Sequence, residues 1–509
     1  MLATARCAAL VGVDAVPVRV EADVAKRGLP GVNIVGLVET AVRESEVRIR
    51  SALSNCGYRL PAGRITVSLA PADMPKGGSG FDLAIALAML AGAEVIPASS
   101  LEDYLTVGEL SLNGELRPVR GALSYALCER RDGRGRLIMP SAAAAQAVAV
   151  PGVEVLGAND LPAVVSYLRG DGLLDPPKAR VEAAPHETAL DLSDVRGQEL
   201  ARRALEIAAA GGHNFLAIGP PGTGKSMLAC RLPTILPPLS LEESLETSAV
   251  WSVAGLLEPG RALLTERPLR APHHTASDAG LVGGGSPPRP GELSLAHNGV
   301  LLLDELPEFR RRVLESLRQP LEQGVVVISR ANHQIAFPAR VQLVATMNPC
   351  PGSMLGERER QPCTCTPHQV RRYRGRISGP LLDRIDLHVE VPSIPVGELA
   401  QTPCGEASAV VRDRVMEARE RQAHRYADSG TRCNAELTAG ALQRHAPLGP
   451  GALSLLTRAN HSLHLSARGF DRVRKVARTI ADLAGRAEID VADVAEAVSF
   501  RVLDRELEG

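Results

Sequence analysis

The sequence predicts a multidomain α/β protein with an α/β N-terminal segment, a phosphate-loop nucleotide-hydrolase core and a helical C-terminal segment. Three observations carry this. Short β-like runs such as "RITVSLAP" and "RLIMP" alternate with helical runs such as "FDLAIALAMLAG" in the first third. In mid-chain the apolar run "FLAI" enters "GPPGTGKS", and a helical pattern follows. Late stretches such as "ASAVVRDRVMEARERQAHRYA" and "DRVRKVARTIADLAG" are helical in period. A chain of 509 residues has room for about three domains.

Residues 1–168 form the first α/β block. "GDGLLDPPKARVEAAPHETALDL" lacks sustained periodicity and is rich in Pro, Asp and Ala, so 169–190 is predicted as a linker. A second α/β block opens with the helical run "SDVRGQELARRALEIAAAGGHN" and spans 191–397. The helical block spans 398–509.

Composition narrows the functional classes. The chain is 45% hydrophobic and 23% charged, ordinary for a soluble globular protein. With net charge −1 it has no global field to attract nucleic acid, so such binding needs a local basic patch. Lysine is rare (Lys26, Lys76, Lys178, Lys225 and Lys475), which makes Lys225 conspicuous. No apolar run reaches the ~18 residues of a membrane span. The start, "MLATARCAALVGVDAVPVRV", is interrupted by Asp14 and has no clear cleavage site. Nine cysteines without secretory marks read as reduced thiols in the cytoplasm.

The chemistry begins at Gly219, Pro220, Pro221, Gly222, Thr223, Gly224, Lys225 and Ser226. A glycine-rich turn between a strand and a helix lets backbone N–H groups wrap phosphates. Lys225 is expected to reach the β- and γ-phosphates of ATP, and Ser226 to bind Mg²⁺. Downstream, "GVLLLDELPEF" is a buried-strand run ending in Asp304 and Glu305. Asp304 is expected to hold the Mg²⁺, and Glu305 to polarise the attacking water. A third strand, "RVQLVATMNP", ends in Asn348, which would contact the γ-phosphate or the water; a turn-forming Asn-Pro is the alternative. In "SGPLLDRIDLHVEV", Arg384 would stabilise charge on the transferring phosphoryl group. If it serves a neighbouring subunit, the active enzyme is a ring or another oligomer. The alternative is an Arg paired with Asp383 and Asp386.

These parts, with "RPLRAPHHTASDAGLVGGGSPPRPGELSLAHNGVLLLDELPEF", "GLPGVNIVGLVETAVRESEVRIRSALSNCGYRLPAGRITVSLAPADMPKGGSGFDLAIAL" and "RYRGRISGPLLDRIDLHVEV", resemble the YifB/ComM family of magnesium-chelatase-like AAA+ ATPases over nearly the whole chain. The resemblance implies a Lon-protease-like (ribosomal-protein-S5-type) N-terminal domain, an AAA+ core and a C-terminal helical lid. It implies a homohexameric ring, and a lid Arg that senses ATP: Arg472, with Arg468 and Arg474 as alternatives. It also implies one of two loads. Members of the ComM type resemble ring helicases that branch-migrate DNA during natural transformation. Cousins in fold are chelatase motors that remodel a protein partner.

Peptide hydrolysis of the Lon type is not expected. In "MPKGGSGFDL", Gly80 stands at the nucleophile's place, with Ser79 one residue early. No lysine lies between Lys76 and Lys178 to serve as the base.

"NPCPGSMLGERERQPCTCTPH" holds Cys350, Cys363, Cys365 and His368, a donor set suited to tetrahedral Zn²⁺. The related pattern has a second Cys where Gly352 stands. Either His368 replaces it, or the loop carries no metal.

Three stretches are candidates for gripping DNA. "VVVISRANHQIAFPARVQLVATMNP" reads as a hairpin with Arg330, Asn332, His333 and Gln334 near its tip. "RPLRAPHHTASDAGLVGGGSPPRPG" reads as a mobile, polar, mildly basic segment around Arg270, His273 and His274; the alternative for either stretch is a purely structural hairpin. "QVRRYRGR" sets Arg371, Arg372, Arg374 and Arg376 around Tyr373, a pattern for backbone contact with stacking, or for a subunit interface.

Overall fold

The computed structural model describes the chain except residues 28, 30, 37–39, 75, 175, 178–189, 259, 331–332, 353–362, 396, 398–402 and 505–509. Most of the expected linker, 169–190, therefore lies outside the described residues. The chain forms two compact units, and neither is one run of sequence. The first holds Met1–Ala184, Ser240–Thr265 and Ser329–Phe337. The second holds Pro185–Leu239, Glu266–Ile328 and Pro338–Gly509. Where the sequence reading divided the chain into successive blocks, the two units exchange segments.

The first unit is built on a seven-stranded mixed sheet. Its strands are β1 (Leu2–Val11), β2 (Asp14–Val24), β3 (Gly31–Val35), β4 (Arg64–Ala70), β5 (Leu105–Thr106), β6 (Arg136–Pro140) and β7 (Glu154–Ala158), in the order β3-β4-β2-β1-β5-β6-β7. Burial alternates along β2 and β4, as expected for strands with one face in the core. Helices α1 (Thr40–Asn55), α2 (Asp82–Gly92), α3 (Ala122–Asp132), α4 (Ser141–Ala147) and α5 (Leu161–Arg169) complete this part. Every residue of α2 is buried, which its all-round apolar sequence requires. Its one charge, Asp82, is met by Arg48 of α1 at 2.9 Å and by the Leu110 N–H at 3.3 Å.

The second unit carries a five-stranded parallel sheet of β8 (Phe215–Ile218), β9 (Leu269–Arg270), β10 (Gly299–Leu303), β13 (Val341–Met347) and β14 (Leu387–Glu390), ordered β9-β10-β13-β8-β14. Strands β11 (Val325–Arg330) and β12 (His333–Pro338) pair as the expected hairpin, of which Ser329–Phe337 is counted with the first unit. β8 and β10 are buried throughout, as suits strands covered on both faces. Helix α6 (Glu199–Gly211) precedes β8 and α7 (Lys225–Ala229) follows it. After α7 the chain enters the first unit as α8 (Leu241–Ala254), opened by a Ser240–Glu243 capping box. There Arg130 of α3 donates to Glu242 at 3.0 Å, and Ser252 Oγ donates to Gln146 Oε1 at 2.9 Å.

The C-terminal helices are α9 (Pro367–Arg374), α10 (Ser408–Arg425), α11 (Ala439–His445), α12 (Pro450–Leu463), α13 (Ala467–Leu483) and α14 (Val491–Ser499). They do not form a separate body. Val415, Leu456, Val473, Ala477 and Ile480 lie in one hydrophobic core with Leu205 and Ala208 of α6 and Phe215 of β8. Among the described residues, no helix is long and apolar enough to cross a membrane.

Candidate nucleotide-binding site

All five strands of the second sheet run parallel, so their C-terminal ends share one edge. β8 sits between β13 and β14, while the chain leaves it for β9 at the far side. Open α/β sheets hold their ligands at such a reversal. The phosphate-loop residues leave β8 at this point. Gly219 is required there, because a Cβ would stand 2.1 Å from the Val391 carbonyl oxygen. Gly222 and Gly224 adopt φ of 79° and 86°, the left-handed region that lets the loop turn its N–H groups inward. Thr223 Oγ1 donates to the Pro220 carbonyl at 3.0 Å.

Lys225, on the first turn of α7, is buried. Its Nζ donates to the Gly219 and Pro220 carbonyls at 2.7 Å each and to Asn348 Oδ1 at 3.3 Å. Burial pushes its pKa down, against the pull of Asp304 and Glu305. Ser226 Oγ donates to the Asp304 carboxylate at 2.9 and 3.0 Å. Thr346, near the end of β13, donates to Asp304 and accepts the Glu305 N–H at 3.1 Å. Glu305 sits at φ 55° and ψ 50°, in the left-handed region that non-glycine residues seldom adopt. Its carboxylate lies 3.9 Å from His274 Nδ1. The residues expected at the nucleotide, Lys225, Ser226, Asp304, Glu305 and Asn348, thus meet at one sheet edge. The Ser226–Asp304 oxygen set beside Lys225 fits Mg²⁺ and a polyphosphate.

Arg384 is elsewhere. Its carbonyl accepts from Asn214 Nδ2 at 2.8 Å, and Asn214 immediately precedes β8. The four residues of β8, at about 3.3 Å each, separate this edge from the phosphate loop. The guanidinium is nearly buried, bonded to Glu322 and to the Pro380 carbonyl. Its neighbours Asp383 and Asp386 are not its partners in these bonds. Arg468 approaches the same Glu322 at 3.7 Å. Arg472 pairs with buried Asp386, also at this edge, and holds that carboxyl far below its usual range despite burial. Arg474 turns to the Leu442 and Ala446 carbonyls at 3.2 and 2.9 Å.

The candidate DNA contacts fare differently. Tyr373 is buried, so it offers no ring face to a base; the stacking reading is corrected. Arg376 donates to Glu308 at 3.0 Å and Arg374 to the Pro349 carbonyl at 3.4 Å, while Arg371 and Arg372 are exposed. Arg270 is held by Glu292 at 2.6 and 2.9 Å, and Gly283–Gly284 pairs with Arg289–Pro290. At the hairpin tip, Asn332 lies outside the described residues, as do the side chains of Arg330 and His333. Gln334 is exposed.

Cys350, Cys363 and Cys365 converge, their Sγ atoms all within 4.8 Å of one another. His368, exposed in the first turn of α9, is not part of this group.

Thr346, His274, Glu322 and Asn214 had no assigned role in the nucleotide site. None of the four is marked for this site by the sequence: Thr346 looks like any strand residue, and His274 reads only as part of the basic segment.

Comparison with known proteins identifies the family. Residues 191–399 match the family described as magnesium chelatase, subunit ChlI. Residues 20–143 match subunit ChlI of Mg-chelatase, and 405–501 match the magnesium chelatase, subunit ChlI C-terminal, family. The protein YifB of Salmonella typhimurium is 47% identical over 506 residues, covering 99% of this chain and 98% of that protein. The chain belongs to the YifB/ComM family of magnesium-chelatase-like AAA+ ATPases. YifB of Escherichia coli is likewise 47% identical, over 98% of this chain and 96% of its own length. The competence protein ComM of Haemophilus influenzae is 46% identical over 98% of this chain and 97% of its own length. Membership in the YifB/ComM family therefore extends over both compact units.

Proposed function

We propose that this chain is a cytoplasmic Mg²⁺-dependent ATPase that works as a homohexameric ring and drives helicase-type remodelling or branch migration of single-stranded or branched DNA, in recombination or natural transformation. The observation that carries the ring is the division of the machinery between two sheet edges. Lys225 and the backbone N–H groups of Gly222–Ser226 hold the β- and γ-phosphates. Ser226 and Asp304 hold Mg²⁺, which when bound neutralises charge on the phosphate oxygens. Glu305 polarises the attacking water, and Asn348 orients it. Arg384 cannot serve this site from the opposite edge, so it serves the nucleotide of a neighbouring copy. Arg468 and Arg472 stand on the same edge, which favours either over Arg474 as a sensor of that neighbouring nucleotide.

DNA as the load is supported by the relative that bears the name competence protein. Reading the N-terminal unit as a Lon-like but non-proteolytic module is supported by Ser79 Oγ bonding to Glu109 and Lys76 Nζ lying buried against the Pro71 carbonyl. A second reading, a chelatase-like motor acting on a protein partner, is favoured by the three magnesium-chelatase matches.

The deciding experiment measures ATP turnover alone, with single-stranded DNA and with a four-way junction, with Glu305→Gln as the blank. DNA is expected to raise turnover, and added salt to reduce the effect, because phosphate contacts release counterions. Turnover indifferent to every nucleic acid overturns the DNA reading and leaves the protein-remodelling one.

A further inference from the structure

The three cysteines lie directly after the strand that carries Asn348. Cys350 is two residues beyond it and buried, while Cys363 and Cys365 are half-buried and immediately precede α9. Cys350 Sγ and Cys363 Sγ are 3.4 Å apart, and all three sulfurs lie within 4.8 Å of one another. Tetrahedral zinc with Zn–S near 2.3 Å sets its sulfurs about 3.8 Å apart, within this spread.

Two backbone N–H groups point at the sulfurs. Gly352 donates to Cys365 Sγ at 3.2 Å and Cys365 donates to Cys363 Sγ at 3.4 Å. Such donors stabilise sulfur as thiolate, the form that binds metal. Gly352 also has a steric reason to be glycine, since a Cβ there would stand 2.8 Å from Cys365 Sγ. The backbone thus closes on the cluster where the related pattern has a fourth thiol. Among the described residues no fourth side chain joins the group, and His368 is outside it.

We propose that Cys350, Cys363 and Cys365 form a three-thiolate site for a thiophilic divalent cation, zinc above all, with a fourth position open to water or another exchangeable ligand. The metal clips the segment ahead of α9 to the end of β13. Arg374 of α9 already holds the Pro349 carbonyl at 3.4 Å, so the clip braces the backbone next to Asn348 from a second side. This site stands apart from the load and from Mg²⁺ binding, and its failure would leave the ATPase reading intact.

The test uses the full chain. Metal content is measured after purification without chelator, and after incubation with zinc followed by gel filtration. Cobalt is then substituted, and its thiolate charge-transfer absorption recorded. Alkylation of Cys363 and Cys365 is followed by mass spectrometry with and without zinc, with exposed Cys404 as the internal control. One metal per chain, a cobalt–thiolate band and slowed alkylation of Cys363 and Cys365 but not Cys404 are expected. Cys363→Ser and Cys365→Ser should each abolish the band, and His368→Ala should keep it. Retained binding of a fluorescent ATP analogue shows that the serine variants fold. Absence of bound metal together with zinc-independent alkylation overturns the site. Loss of metal in His368→Ala overturns the open fourth position.

Discussion

Thr346 joins the two acids of the hydrolytic site to the neighbouring strand. Its hydroxyl donates to Asp304 and accepts the Glu305 N–H, so one side chain sets both the carboxylate proposed to hold Mg²⁺ and the unusual backbone of the residue proposed to polarise the water. Thr346→Val keeps the shape and removes both bonds. A lost hydrogen bond to a charged or buried partner costs about 1–3 kcal/mol, so kcat should fall about ten- to hundred-fold. The KM for ATP should change little, because Lys225 and the loop are untouched. Steady-state kinetics separate the outcomes, and a raised KM with unchanged kcat would assign Thr346 to binding instead. The contrast with Asp304 and Glu305 explains what could be read beforehand. An acid pair closing an apolar run is conspicuous in sequence. A threonine that acts by reaching across to the next strand looks like any strand residue until the strand order is known. Glu322 and Asn214 are silent for the same reason: what they do is set by partners about 60 and 170 residues away, Arg384 in both cases.

At the level of elements, the wholly buried helix α2 has a titratable weakness. Burial pushes the Asp82 carboxyl up to about 6, with Arg48 and the Leu110 N–H pulling the other way. A carboxyl with a raised folded pKa holds its proton to higher pH in the folded chain than in the unfolded one. Between about 4 and about 6 the folded state binds more protons, so this group's contribution to stability falls as pH rises. Asp82→Asn has no proton to lose. Its unfolding midpoint should gain on that of the parent as pH rises through this window, by a difference on the order of 2 kcal/mol. Thermal unfolding of both proteins from about pH 4 to about pH 7 checks the sign, and a constant gap would mean that Asp82 titrates normally. Helix α2 itself was legible, because an unbroken apolar run has few other folds. Two neighbouring inferences were not. Tyr373 lies among arginines, and only the packing of α9 shows that its ring faces inward. Helix α8 is an ordinary capped helix, and nothing in its sequence marks it as belonging with α3 and α4 rather than with the sheet that precedes it.

For the whole molecule, the placement of Arg384 makes a prediction that no single chain can satisfy. The phosphate loop, Asp304 and Glu305 stand at one edge of the parallel sheet and Arg384 at the other, so in the proposed ring a complete site draws Glu305 from one copy and Arg384 from the next. Such head-to-tail contacts close into rings. Glu305→Gln and Arg384→Ala should each abolish turnover alone while still binding ATP. Mixed in equal amounts under conditions that let subunits exchange, they should regain activity. A random ring joins an intact Glu305 to a neighbour's intact Arg384 at about a quarter of its interfaces. If Arg384 acted on its own chain's nucleotide, no chain in the mixture would hold both groups and activity would stay at the level of the blanks. If Arg384 only braces Glu322, Arg384→Ala alone would keep turning over ATP. The three results are distinct in one titration of the mixing ratio, with recovery greatest near equal amounts only when the site is shared between copies.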